Sequence, residues 1–202
     1  MLPAPRISEI RGAGNILGTQ QSGHIAAVGY ELYCQLLENA VRTLKKQPLR
    51  TPLEIHVDLP WSAYLPRDYV QGQRLRIEVY RRLSRVRRLA RLADFRQEMR
   101  DRFGPLPEPA EWLLRLTELR LLAAHWKVAS IHLEKSAEVG SGATDVVLGY
   151  RNPRRIRELA ARSDGRLRVV DEASAYFRPT GDELEPLALY ATLKTLLRDI
   201  PG

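Results

Sequence analysis

Asp101-Arg-Phe-Gly-Pro-Leu-Pro-Glu-Pro109 separates two helical patterns, and its reading decides the architecture. Gly104-Pro105-Leu106-Pro107 is a firm stop, because proline lacks the N–H a helix needs and biases the residue before it away from helical angles. Glu108-Pro109 starts the next helix, with proline in the first turn, where a missing N–H costs nothing. Downstream, Leu113, Leu116, Leu119 and Ala123 recur at helical spacing and give that helix a buried stripe. Upstream, Asp68 is the expected N-cap, and Leu75, Val79, Leu83, Val86, Ala90 and Ala93 carry helix spacing toward Phe103, in one helix or in two broken near Leu89 to Asp94.

Past residue 127 the pattern changes to short apolar segments punctuated by glycines and charged turns. Val128 to Leu133, Thr144 to Leu148, Leu167 to Val170 and Ala175 to Phe177 read as strands, with Pro153 to Arg162 helical between them. Leu189, Leu193, Leu196 and Ile200 share one side of a closing helix over Leu187 to Ile200. Leu53-Glu-Ile-His-Val57 alternates apolar and polar residues, which predicts an early strand able to join the others. The sum is an α+β domain over residues 52–202, several helices packed on a small mixed β-sheet.

At 202 residues and 44% hydrophobic content the chain can bury one sizeable core, or a core plus a connector. No apolar run approaches the roughly 18 residues that span a bilayer, and the N-terminus has no secretory signal pattern, so no membrane partner is expected and a cytoplasmic location is the default. The one cysteine, Cys34, lies in an apolar helical pattern and reads as a buried thiol. The formal charge is +8, and it is unevenly spread: residues 1–104 hold 18 basic and 10 acidic side chains, residues 105–202 hold 14 of each. Any phosphate-binding face therefore belongs to the first half.

Near the N-terminus, residues 10–24 read Ile-Arg-Gly-Ala-Gly-Asn-Ile-Leu-Gly-Thr-Gln-Gln-Ser-Gly-His. Gly12, Gly14 and Gly18, with Gly23 beyond, suit a shaped loop better than a helix or strand. That loop presents Arg11, whose planar fork suits phosphate or carboxylate, and the amides of Asn15, Gln20 and Gln21. Ile25, Val28, Leu32, Leu36, Ala40 and Leu44 then trace a connector helix, with Tyr33, Leu37 and Val41 as a second stripe, so that it packs from two directions. Lys45-Lys46-Gln47-Pro48 ends it, which divides the chain into residues 1–47 and 52–202 with the boundary at 46–52.

The glycine loop, with Arg11 and Gln21 in order around it, resembles the motif that follows the second motor lobe of RecG-like superfamily-2 translocases. His24 to Val41, Asp68-Tyr-Val, Leu75-Arg-Ile-Glu-Val-Tyr-Arg-Arg-Leu83 and Asp101 to Pro107 narrow the likeness to the C-terminal region of bacterial transcription-repair coupling factors. The resemblance covers most of residues 6–127 and is looser beyond. It implies that Arg11, Gln21, Gly12, Gly14 and Gly18 belong to the element that couples ATP hydrolysis to movement along duplex DNA. It further implies a parent protein that uses ATP and Mg2+, acts on double-stranded DNA, displaces stalled RNA polymerase and recruits excision repair. The terminal domain of the family is expected to fold back on an N-terminal module resembling UvrB, hiding the surface that binds UvrA. The chain itself has no Gly-x-x-x-x-Gly-Lys-Ser/Thr loop, so it is expected to be a C-terminal fragment that hydrolyses nothing and needs no cofactor of its own.

Other features carry less. Arg81, Arg82, Arg85 and Arg88 stand in an arginine-rich run that is either a solvated helix face or a contact for phosphate or a partner, with the solvated face the better reading because the apolar stripe survives between the arginines. Gly12-x-Gly14 lacks the strand, the third glycine and the acidic residue of a dinucleotide site. Ser22 and His24 have no third group to make a nucleophile and base. Histidines 24, 56, 125 and 132 show no metal-ligand spacing, and no metal site is expected. Two rival functions stand: a RecG-type fork-remodelling helicase, which shares the loop but generally ends soon after it, and an autonomous nucleic-acid-binding module built on the Arg81 to Arg102 region.

Overall fold

A computed structural model describes residues 55–136 and 142–198. The glycine loop with Arg11 and Gln21, the connector helix, Cys34 and the boundary at 46–52 lie outside the described residues.

The chain enters through a three-residue strand, β1 (His56–Asp58), and a proline-bordered loop. Three helices follow: α1 (Gln73–Ser84), α2 (Leu89–Phe103) and α3 (Glu108–His125). Next come β2 (Val128–Lys135), β3 (Thr144–Tyr150), α4 (Pro153–Ala161), β4 (Leu167–Val169) and β5 (Ser174–Phe177). A 3-10 turn at Gly181–Leu184 leads into α5 (Pro186–Leu197). The five strands form one mixed sheet ordered β1-β2-β3-β5-β4, in which only β1 and β2 run parallel. The early strand does join the sheet, at its edge and shifted toward Asp58.

Asp68 does not cap a helix. Helix α1 starts five residues later, after Gly72, whose φ of 87° a side chain would disfavour. The helical pattern across residues 75–93 divides into two helices, and the break falls at residues 85–88, slightly ahead of the expected one. Leu83 is fully buried and Val86 nearly so, which is why the apolar periodicity runs through the corner without revealing it. At the far end of α2, Gly104 adopts φ 85° and Tyr69 Oη bonds the carbonyls of Met99 and Gly104, each at 3.1 Å.

Helix α3 is the hub. It packs on β1 and β2 and against α2 and α5, while α4 packs on β4. Sequence spacing gives it a single stripe, but Ala110, Trp112, Leu114, Thr117 and Leu122 are buried as well, because neighbours approach it from three sides. The buried Thr117 hydroxyl donates to Leu113 O at 2.8 Å, so it leaves no unpaired group in the core. Along β3 the alternation of side chains sends Val146, Leu148 and Tyr150 into the helical layer and Asp145 and Val147 to the other face. Trp126 at the end of α3 is buried and donates Nε1–H to Leu197 O at 2.8 Å, fastening the end of α5 to the hub.

Candidate functional site

The strongest concentration of charge sits at the corner between α1 and α2. Val79, Tyr80 and Leu83 of α1 and Leu92, Phe95 and Met99 of α2 turn inward, so the intervening arginines are driven outward. Arg81, Arg85, Arg87, Arg88 and Arg91 are exposed, and Arg82 is half-buried. All of these but Arg81 border, together with Asp94 and Glu98, a cleft of about 460 Å³ whose floor includes Val86 and Phe95.

The structure divides the four arginines singled out in the sequence. Arg82 is committed to the fold: its guanidinium grips Glu98 of α2 with both arms, Nη1 lying 2.6 Å from Oε1, and its plane sits 5.6 Å from the centre of the Phe95 ring. Arg102 adds a second contact to Glu98 at 2.8 Å. The hydrogen bond from Arg82, reinforced by that from Arg102, pulls the Glu98 carboxyl down to about 2. Arg81, Arg85 and Arg88 make no side-chain hydrogen bond or ion pair among the described residues. Arg81 and Arg85 stand four positions apart on one helical face, since Arg85 continues the right-handed helical angles as the C-cap. Arg87 bonds its own turn, at Ser84 O and, at 3.1 Å, Val86 O.

Helix α2 opens at this corner with Arg88 as N-cap, with no side-chain cap and no acidic residue in its first turn. Its free N–H groups therefore add to the positive potential of the arginines. Further along, Arg96 and Arg100 of α2 both reach Glu111 of α3, the latter at 3.1 Å, so the distal half of the helix spends its cations inside the domain.

Sequence reasoning missed the acidic partners. Glu98 and Glu111 lie 16 and 15 residues from Arg82 and Arg96, on different helices, and no periodicity rule connects such pairs. Two further polar clusters went unread. Arg178 holds the buried Asp145 through Nε and Nη2 at 2.7 and 2.9 Å and also donates to Ser136 Oγ at 2.8 Å, which keeps the Asp145 carboxyl below its usual value. Between α3 and α5, Glu118 meets Lys194 Nζ at 2.7 Å and accepts from Tyr190 Oη at 2.5 Å. Burial opposes ionisation of Glu118, but these bonds outweigh it and hold its carboxyl low. A larger hollow of about 700 Å³ lies beside Trp126, Phe177 and Leu196. Among the described residues no three metal-ligating side chains gather, and no helix is long and apolar enough to cross a membrane.

Comparison with known proteins bears on what the domain serves. Residues 59–143 match the family model for the TRCF domain. Transcription-repair-coupling factor of Mycobacterium bovis is 38% identical over 172 residues, which is 80% of this chain and 13% of the relative. The Myxococcus xanthus protein of the same name is 34% identical over 193 residues, 95% of this chain and 16% of that one, a span that reaches into the glycine-rich stretch. The chain thus spans less than a fifth of the length of these relatives. Its fold is similar to the crystal structure of the C-terminal domain of transcription-repair coupling factor, with a TM-score of 0.51 at 19% identity, over 74% of this chain and 97% of that one.

Proposed function

The chain belongs to the transcription-repair coupling factor family, whose C-terminal domain it shares in fold, and on that premise we propose that it serves as the terminal regulatory part of an ATP-dependent duplex DNA translocase that displaces stalled RNA polymerase and hands the site to excision repair. The observation that supports this reading is the 34% identity sustained across 95% of the chain, glycine loop included. In it, Arg11 and Gln21, with Gly12, Gly14 and Gly18 shaping the backbone, complete the element that converts hydrolysis into translocation. ATP and Mg2+ are then held by motor lobes whose nucleotide-binding motif this chain does not contain. The family assignment also weakens the fork-remodelling alternative, since a folded domain of this size follows the loop.

The domain of residues 52–202 acts in this proposal as a lid on a UvrB-like N-terminal module, covering the surface that UvrA recognises. A tethered lid needs little intrinsic affinity. At an effective concentration of ~1 mM, a dissociation constant of ~10 µM leaves about 1% of molecules open. Engagement of polymerase need then contribute only a few kcal/mol, roughly, to reverse the balance. Calorimetric titration of this chain into the separately expressed N-terminal module tests the proposal. Binding in the micromolar range supports the lid, and absence of heat and of competition at a few hundred micromolar, roughly the tethered concentration scale, contradicts it.

A further inference from the structure

Between Gln73 and Phe103 lie eleven arginines and four carboxylates, so α1, α2 and their corner carry all but one unit of the chain's formal +8. Most of the carboxylates here are already engaged: Glu98 by Arg82 and Arg102, Asp94 by Arg91, and Asp101 by the Gln97 amide. The surplus is therefore concentrated where Arg81, Arg85 and Arg88 stand exposed and without an internal partner among the described residues. It borders a concave cleft, and the uncapped start of α2 opens beside it.

We propose that this arginine corner is a docking site for the phosphodiester backbone of duplex DNA. Three observations choose that occupant. First, the corner is charged at its centre and exposes one large apolar side chain, Leu89, whereas protein interfaces deplete charge at the core and bury aromatic and aliphatic anchors there. Second, the aromatic ring of the cleft, Phe95, is 5% exposed and covered by Arg82, which leaves no platform on which unpaired bases can stack, as single-strand sites require. Third, exposed cations at the cleft, Arg85 and Arg88, carry planar forks that match phosphate oxygens, the commonest protein contact on duplex DNA. Arg82 positions the corner through Glu98, and Arg81, Arg85 and Arg88 meet the backbone. The inference rests on the charge and exposure of this corner and stands or falls independently of the lid.

The test is fluorescence anisotropy of the 202-residue chain with a labelled duplex of about 30 base pairs, at several salt concentrations from about 50 to 200 mM. Arg85→Ala/Arg88→Ala is compared with the charge-matched pair Arg154→Ala/Arg157→Ala on the exposed face of α4. The first pair is expected to weaken binding at least about tenfold and to lower the slope of log affinity against log salt by about 2, while its melting midpoint stays that of the parent chain. The control pair should change affinity less than about twofold. Equal losses in both pairs, undiminished affinity in a folded Arg85→Ala/Arg88→Ala variant, or no measurable binding of the parent chain at the lowest salt would each overturn the proposal. Tighter binding of single strands, or displacement of duplex by poly-glutamate at matched charge with higher affinity, would transfer the corner to another class of partner.

Discussion

Arg82 and Arg85 are three positions apart, yet one faces Glu98 and the other faces solvent. The difference has a pH signature. Because the folded Glu98 carboxyl titrates near 2, below its unfolded value of roughly 4.3, its contribution to stability is full above the unfolded value and is lost as pH falls through the folded one. Glu98→Gln should therefore lower the urea midpoint at pH 7, and the gap from the parent chain should close between about pH 4 and pH 2. A gap of constant size down to pH 2 would mean that packing, and not the ion pair, is what the substitution disturbs. Trp126 supplies a second residue-scale prediction. Trp126→Phe keeps an aromatic ring but strands Leu197 O, and should cost about 1–3 kcal/mol in a denaturant titration. A loss near zero would show that the bond to Leu197 is replaced by water.

At the scale of elements, stability is centred on α3. Leu119 is fully buried in it, so Leu119→Ala should cost about 2–5 kcal/mol, against about 0.5 or less for Leu187→Ala, which is 58% exposed on α5. Asn152 begins α4 by accepting Arg155 N–H at 3.1 Å, with Pro153 in the first turn, and Asn152→Ala should cost about 1 kcal/mol by thermal melting. These elements were legible in the sequence because their signals are local. Pro109 and Pro153 mark helix starts, Gly104 marks an end, and Val146 and Leu148 alternate as strand residues do. What escaped was non-local. The corner at residues 85–88 was hidden by apolar residues that stay buried through it, and the several-sided burial of α3 depends on neighbours that no single helix can announce. The late start of α1 has a similar cause: Asp68 has the chemistry of a cap, but Val70 and Tyr69 anchor the loop in the core and delay the helix to Gln73.

At the scale of the molecule, the described residues form a helical layer on one face of a five-stranded sheet, and their surplus charge lies at one corner of it. The candidate site was half legible. Arginine density pointed to residues 81–88, but separating Arg82 from Arg81, Arg85 and Arg88 required knowing which of them meets Glu98. The glycine loop with Arg11 and Gln21 is read from its order of residues alone and lies outside the described residues. The regulatory claim is central, and the most direct measurement is the affinity of UvrA for the isolated UvrB-like N-terminal module as this chain is added in trans. A lid of the proposed kind weakens UvrA binding in proportion to occupancy by this chain, to half its strength near the chain's own dissociation constant. Simultaneous binding of UvrA and this chain to the module, with neither displacing the other, would contradict it.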